Sequence, residues 1–179
     1  MPEQVPAPAP PAQPNVVLIG PMASGKSSVG AALARRLSRP HVDSDQFFVA
    51  RHGPIPEYFA AHGEEAFRNA EEHIVAELLA SPRPSVISLG GGSVLSEATR
   101  ARLCRHFVVM LDVTEEQALA RIGDATTRPM LKADPAAVWK RIYAEREPLY
   151  RECADLIVEA APPNIEARVD TIEKELPSR

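Results

Sequence analysis

Eight residues, Gly20 to Ser27, read GPMASGKS and fit the pattern Gly-x-x-x-x-Gly-Lys-Ser/Thr. Such a loop binds phosphate because its backbone N–H groups turn around the phosphate oxygens. Its lysine neutralises the outermost charge and its last hydroxyl holds Mg²⁺. The interior, Pro21-Met22-Ala23-Ser24, has no glycine. A position needing positive φ would penalise Ala23 and weaken ATP binding, whereas an ordinary helical position would accept it.

Further along stand more residues able to do chemistry. Asp43-Ser44-Asp45 offers two carboxylates two positions apart, which share one face if the chain stays extended. Paired acids beyond a strand suit a Mg²⁺ shell and a hydroxyl acceptor. The alternative makes Asp45 the N-cap of a helix starting at Gln46. Arg68 has Glu64, Glu71 and Glu72 three or four positions away and on spacing alone fits a solvated helix with ion pairs. Gly90-Gly91-Gly92 marks either a close approach by substrate or a plain turn. A polar stretch from Gly123 to Ala133 carries Arg128 and reads as a mobile lid or a surface loop. Arg146 follows Ile142 by four and Tyr143 by three, on an apolar stripe, so it needs an anionic partner, either a structural carboxylate or a ligand.

The elements that must position these groups follow from periodicity. Asn15 to Ile19 reads as a strand covered on both faces, leading directly into the loop. A helix from about Gly25 to Ser38 repeats Val29, Leu33 and Leu37 at intervals of four. His41 to Asp43 is a short second strand, and Gln46 to Ala80 a largely helical insertion carrying Phe67, Ala70, Ile74, Leu78 and Leu79. Ser85 to Leu89 and Phe107 to Leu111 are the third and fourth strands, separated by a helix capped by Ser96. Thr114 to Gln117 forms a capping box for a helix to about Ile122. Asp134-Pro135 opens another towards Glu147, which Pro148 should end or kink. Leu156 to Val158 is a fifth strand, and Ile165, Val169, Ile172 and Leu176 define a closing helix.

Composition narrows the class. The 179 residues suffice for one α/β domain with a real core, and 45% are apolar. A net charge of −4 gives no global attraction to nucleic acid or an anionic membrane, so any anionic ligand must be met by a local cluster. Residues 1–14 alternate Pro and Ala and read as a disordered tail rather than a signal peptide. Cys104 and Cys153 lack metal-ligand spacing, and no His-x-x-x-His pair occurs. Free thiols suit a reducing cytosol, so a cytoplasmic protein without membrane or nucleic-acid partners is expected.

In their order and separation, GPMASGKS, DSD, FRNAE at Phe67 to Glu71, GGG, TTRP at Thr126 to Pro129 and REPLY at Arg146 to Tyr150 resemble shikimate kinase. The resemblance covers nearly everything after Asn15 and implies an α/β fold of the P-loop NTPase type. Its five-stranded parallel sheet, of order 2-3-1-4-5, would lie between helices, with a substrate-binding insertion (about 46–80) and a lid (about 123–134), all in one domain over 15–179. The implied reaction moves the γ-phosphate of ATP to the 3-hydroxyl of shikimate, with Mg²⁺, in a monomer.

The resemblance also implies roles. Arg68 and Arg146 would hold the substrate carboxylate, with Glu71 orienting Arg68. Gly91 and Gly92 would give backbone contacts, and Phe59 and Phe67 would line the ring. Asp45 would take the hydroxyl proton, while Asp43, through water, and Ser27 would hold the metal. Lys26 and Arg128 would stabilise the phosphoryl group in flight. Gly20, Pro21, Met22, Ala23, Ser24, Gly25, Lys26, Ser27 and Ser28 would surround the nucleotide, with Arg121 stacked on adenine. Ala160-Ala161-Pro162-Pro163 lacks the arginine often found there beside adenine. A gluconate kinase or a non-catalytic nucleotide-binding module are the rival readings, the latter disfavoured because mere binding does not require Asp45.

Overall fold

The computed structural model describes residues 13–123, 134–159 and 164–178. In chain order the elements are β1 (Val16–Ile19), α1 (Lys26–Leu37), β2 (His41–Asp43), α2 (Ser44–His52), α3 (Ile55–Leu79), β3 (Val86–Ser88), a short 3-10 turn (Ser93–Leu95), α4 (Glu97–Leu103), β4 (Phe107–Leu111), α5 (Glu115–Ile122), α6 (Pro135–Cys153), β5 (Leu156–Val158) and α7 (Ile165–Glu175). The strands form one five-stranded parallel sheet in the order β2-β3-β1-β4-β5, the expected P-loop NTPase-type order.

The sheet is buried on both faces, which explains why its strands are continuous apolar runs rather than alternating ones. Period two still sorts them. Val17 and Ile19 pack with Phe67, Ile74, Leu78 and Leu103 on one face, and Val16 and Leu18 with Val29, Leu33, Val169 and Ile172 on the other. β1 thus has α3 and α4 on one side and α1 and α7 on the other. From β1 the chain crosses to β2 by way of α1 on one face, and from β3 it crosses to β4 by way of α4 on the other, so the connections part to opposite faces between β1 and β3. A crevice opens at such a divergence, beyond the strands' carboxyl ends. There the phosphate loop after β1 faces the triple glycine after β3.

Local signals set most boundaries. Ser96 accepts from Thr99 N, both halves of the Thr114–Gln117 capping box are present, and Asp134 caps α6. Three expectations are corrected. The chain does not stay extended after Asp43, because α2 begins at Ser44. The cap of α2 is Asp43 rather than Asp45: Asp43 Oδ1 accepts from Asp45 N at 3.0 Å and Gln46 N at 3.2 Å. Nor does Pro148 end α6, which continues to Cys153. Packing offsets the hydrogen bond that proline removes: Leu149, Tyr150 and Cys153 join the core, and Tyr150 is only 1% exposed. The insertion is also two helices, with a non-helical break inside α3 at Gly63 (φ 83°).

Candidate active site

Gly20, Ala23 and Gly25 have φ of 143°, 65° and 91°. Gly25 is the N-cap of α1 and supplies no side-chain acceptor, so the first N–H groups of α1 are left to an anion. Ala23 therefore stands where glycine is favoured, at a cost of about 1 kcal/mol. Lys26 Nζ lies over the loop, donating to Gly20 O and Pro21 O at 2.9 Å each. Arg121, from α5, donates to Ala23 O at 2.8 Å.

A cavity of about 700 Å³ runs from this loop to the insertion. Lys26, Ser27 and Asp43 line it on the side of the phosphate loop, and Phe59, Phe67, Arg68, Glu71, the triple glycine and Arg146 on the side of the insertion. Asp45, against Gly90, feels both Lys26 and Arg68. Ser27 Oγ donates to Asp43 Oδ2, so a hydroxyl and a carboxylate stand together as hard oxygen donors. With Asp43 serving α2 as cap, Asp45 is released from that duty and lies in the first helical turn, at the cavity.

Burial, then Asp43 and Glu71, push the Asp45 carboxyl up to about 6, while Lys26 and Arg68 act the other way. Asp45 is dense with protein neighbours but remains exposed to solvent at the cavity. Water there moderates the upward push until substrate displaces it.

The far end is cationic. Arg68 Nη1 pairs with Glu71 Oε2 at 2.7 Å, and Glu71, only 6% exposed, also accepts from Ser93 Oγ at 3.1 Å. Arg68 is a half-buried arginine oriented by Glu71 at the cavity, with the ion pairs to Glu64 and Glu71 that its helical spacing predicts. Its guanidinium lies against Gly92 so closely that a Cβ there would collide with Nη1. Gly90 is equally constrained: a Cβ would stand 2.6 Å from Asp45 Oδ1 and 3.0 Å from Glu71 Oε1. Gly91 O accepts from Tyr150 OH at 2.5 Å, which fixes the glycine turn against α6. Arg146 is 8% exposed, and its Nε and that of Arg68 are buried with no hydrogen-bond partner among the described residues. Arg68 Nε has Glu64 Oε1 at 4.0 Å, too far for a hydrogen bond, so both donors, at the edge of a cavity, are suited to an anionic ligand.

The structure thus gathers all the candidate residues it describes except Arg121, Gly20, Pro21 and Ser24 into the cavity lining, and those four lie in the loop or bond to it. Arg128 lies outside the described residues, as do most of the lid and the Ala160 to Pro163 segment. Residues that sequence reasoning missed include Ser44, which holds Gly90 N at 2.9 Å, and Arg168, a donor to Ser24 O at 2.7 Å, while Gly90, read from sequence as part of the glycine turn, lies against Asp45 and Glu71. Arg168 carried a readable signal, since it falls between Ile165 and Ile172 on an apolar stripe, as Arg146 does on its own. Among the described residues no group of three or more His, Cys, Asp or Glu side chains could hold a metal ion by itself. No described helix is long and apolar enough to cross a membrane.

The sequence pattern of the family described as shikimate kinase matches residues 22–177. A shikimate kinase from Thermobifida fusca is 43% identical over 167 residues, 93% of this chain and 96% of that one. The structure of a shikimate kinase from Acinetobacter baumannii in complex with shikimate is similar with a TM-score of 0.87 and 32% identity, covering 94% of this chain and 96% of the other. A gluconokinase from Sinorhizobium meliloti is similar at a TM-score of 0.57 and 20% identity, a likeness of fold alone.

Proposed function

The chain belongs to the shikimate kinase family, and on that premise we propose that its two-ended cavity brings the γ-phosphate of ATP to the 3-hydroxyl of shikimate, giving shikimate 3-phosphate and ADP. The observation that carries this reading is that the buried Arg146 and the half-buried Arg68 line one cavity with Lys26 and Asp45. Paired guanidinium groups suit an anionic acceptor, and the family match makes that anion the carboxylate of shikimate.

In the step itself, a bond forms between the acceptor oxygen and the γ-phosphorus, and the bond from that phosphorus to the bridging oxygen of ADP breaks. The hydroxyl proton passes to Asp45, whose carboxyl near 6 is a better acceptor than an ordinary carboxylate and still ionised at neutral pH. Arg68 and Arg146 hold the carboxylate, Glu71 keeps Arg68 in place, and Phe59 and Phe67 cover the ring. Gly91 and Gly92 present backbone to the substrate. The phosphate loop with Ser28 surrounds the triphosphate, and Arg121 flanks the base. Because the transition state is loose, charge and position matter most, a task for Lys26 and, by the TTRP match, Arg128.

The hydrogen-bonded Ser27 hydroxyl and Asp43 carboxylate fit Mg²⁺, Ser27 directly and Asp43 through water. When bound, the ion would supply charge neutralisation for the transferring phosphate. A cytoplasmic monomer belongs to the same reading, as does one catalytic unit over 15–179 with its insertion (about 46–80) and lid (about 123–134).

The test is ADP release with ATP and Mg²⁺, offering shikimate, gluconate or nucleoside monophosphates as acceptor. Shikimate should be preferred by orders of magnitude. Preference for gluconate or a nucleotide would overturn the acceptor assignment, and no turnover with any acceptor would favour a binding module.

A further inference from the structure

Six consecutive carbonyls of the phosphate loop accept hydrogen bonds from the protein itself. Gly20 O and Pro21 O take Lys26 Nζ, Met22 O takes Trp139 Nε1 at 3.1 Å, Ala23 O takes Arg121 Nη1 at 2.8 Å, Ser24 O takes Arg168 Nη1 at 2.7 Å, and Gly25 O takes Val29 N at 2.9 Å. The three middle acceptors are thus met by side chains from α6, α5 and α7. A loop whose acceptors are engaged in this way keeps its N–H groups available to an anion.

Arg168 is the most deeply set of these three side-chain donors, at 3% exposure. Its second amino group donates to Asp112 O at 3.0 Å and Glu159 O at 3.4 Å. Asp112 follows β4 and Glu159 follows β5, so one planar fork ties together the ends of β1, β4 and β5. An ammonium group has no such fork. The tie acts on a loop that carries strain, since Ala23, next to Ser24, holds φ at 65°. Arg168 Nη1 and Arg121 Nη1 also lie 3.8 and 3.9 Å from where a Cβ on Gly25 would be, which puts two positive charges beside the anion site.

We propose that Arg168 is a positioning residue for the ATP phosphates: its three-carbonyl fork holds the loop in the phosphate-ready conformation from which Ala23 would otherwise relax. This rests on reading the loop as the ATP site. It makes Arg168 a partner of Ala23, the first supplying restraint where the second lacks glycine's freedom.

Trp139 is the one tryptophan of the chain and touches the loop, so its fluorescence reports nucleotide binding without turnover. ADP titrations should show Arg168→Met binding about tenfold more weakly than wild type, and the KM for ATP should rise to match while the KM for shikimate stays within twofold. Arg168→Lys keeps the charge but loses the fork, and should fall nearer the Met variant than wild type. Adding Ala23→Gly to either variant should recover at least threefold of the loss, a rescue that a merely structural role would not produce. ADP binding within twofold of wild type in a folded Arg168→Lys protein overturns the proposal, as does failure of the glycine to rescue. If the Met variant does not fold, the Lys variant decides. A wild-type protein that binds ADP but ignores shikimate would sink the acceptor assignment and leave this test intact.

Discussion

Asp45 shows how one residue carries both a function and its cost. Burial beside Asp43 and Glu71 raises its carboxyl to about 6 from an ordinary value of 3.8. In its proposed role as proton acceptor it must be ionised, so kcat with shikimate should rise with pH through about 6 and level above 7 in a pH–rate profile. The rise in kcat/KM should come at lower pH, because water moderates the shift in the open cavity. Asp45→Asn should lower kcat by about 10²–10⁴ while ADP titration stays within twofold; near-normal turnover would remove Asp45 from the mechanism. Linkage gives the stability sign. Because the folded value is raised, Asp45's contribution is fully present below 3.8 and lost as pH rises through about 6. At neutral pH the charge therefore costs stability, and the Asn variant should melt higher by about 1–3 °C at pH 7.5 and gain nothing at pH 4. A lower melting temperature at pH 7.5 would mean that Asp45 supports the fold.

At the scale of elements, α6 and α1 do the positioning. α6 delivers Arg146 to the cavity and, one turn later, Tyr150 to Gly91 O, so a single helix sets both the proposed substrate cation and the glycine turn. Removing a charge-assisted pair costs about 1.5–3 kcal/mol, so Arg146→Ala should raise the KM for shikimate by about 10- to 100-fold and leave the KM for ATP within twofold. Equal rises in both would point to a displaced helix instead. α1 approaches the sheet at Gly30, where a Cβ would lie 2.6 Å from both His41 Nε2 and Ser88 Oγ. These two side chains bond each other at 2.9 Å, and Ser88 Oγ donates to Lys26 O, so neither yields freely. Gly30→Ala should destabilise by about 1–3 kcal/mol in urea unfolding, and an unchanged midpoint would show that α1 shifts without cost.

On the proposed reading the whole molecule acts as two lips of one crevice, the loop after β1 for the nucleotide and the loop after β3 for shikimate. A ligand at about 100 times its Kd stabilises a protein that binds it only when folded by about 2.7 kcal/mol, or roughly 5–10 °C at this chain length. ADP and shikimate should each raise the melting temperature by that order. In Arg146→Ala the shikimate shift should collapse and the ADP shift persist. Loss of both shifts would show that the lips are not independent.

Much of this was legible from short-range physics. Apolar runs and intervals of three and four placed every strand and most helix ends, because caps and amphipathic stripes act within a turn or two. The phosphate loop was readable for the same reason, and the ordered motifs supplied the family. Chemistry that depends on which strand ends become neighbours was not. Asp43 became the cap and Asp45 the free acid only once α2 began a residue after the strand, and Pro148 was carried through α6 by packing rather than by propensity. The roles of Gly90 and Arg168 arise from contacts with residues 45, 71, 24 and 112, far away along the chain. Local sequence determined the elements and the kind of chemistry. Tertiary structure decided which groups meet, because a parallel sheet ordered β2-β3-β1-β4-β5 sets beside β1 two strands that lie far from it in sequence.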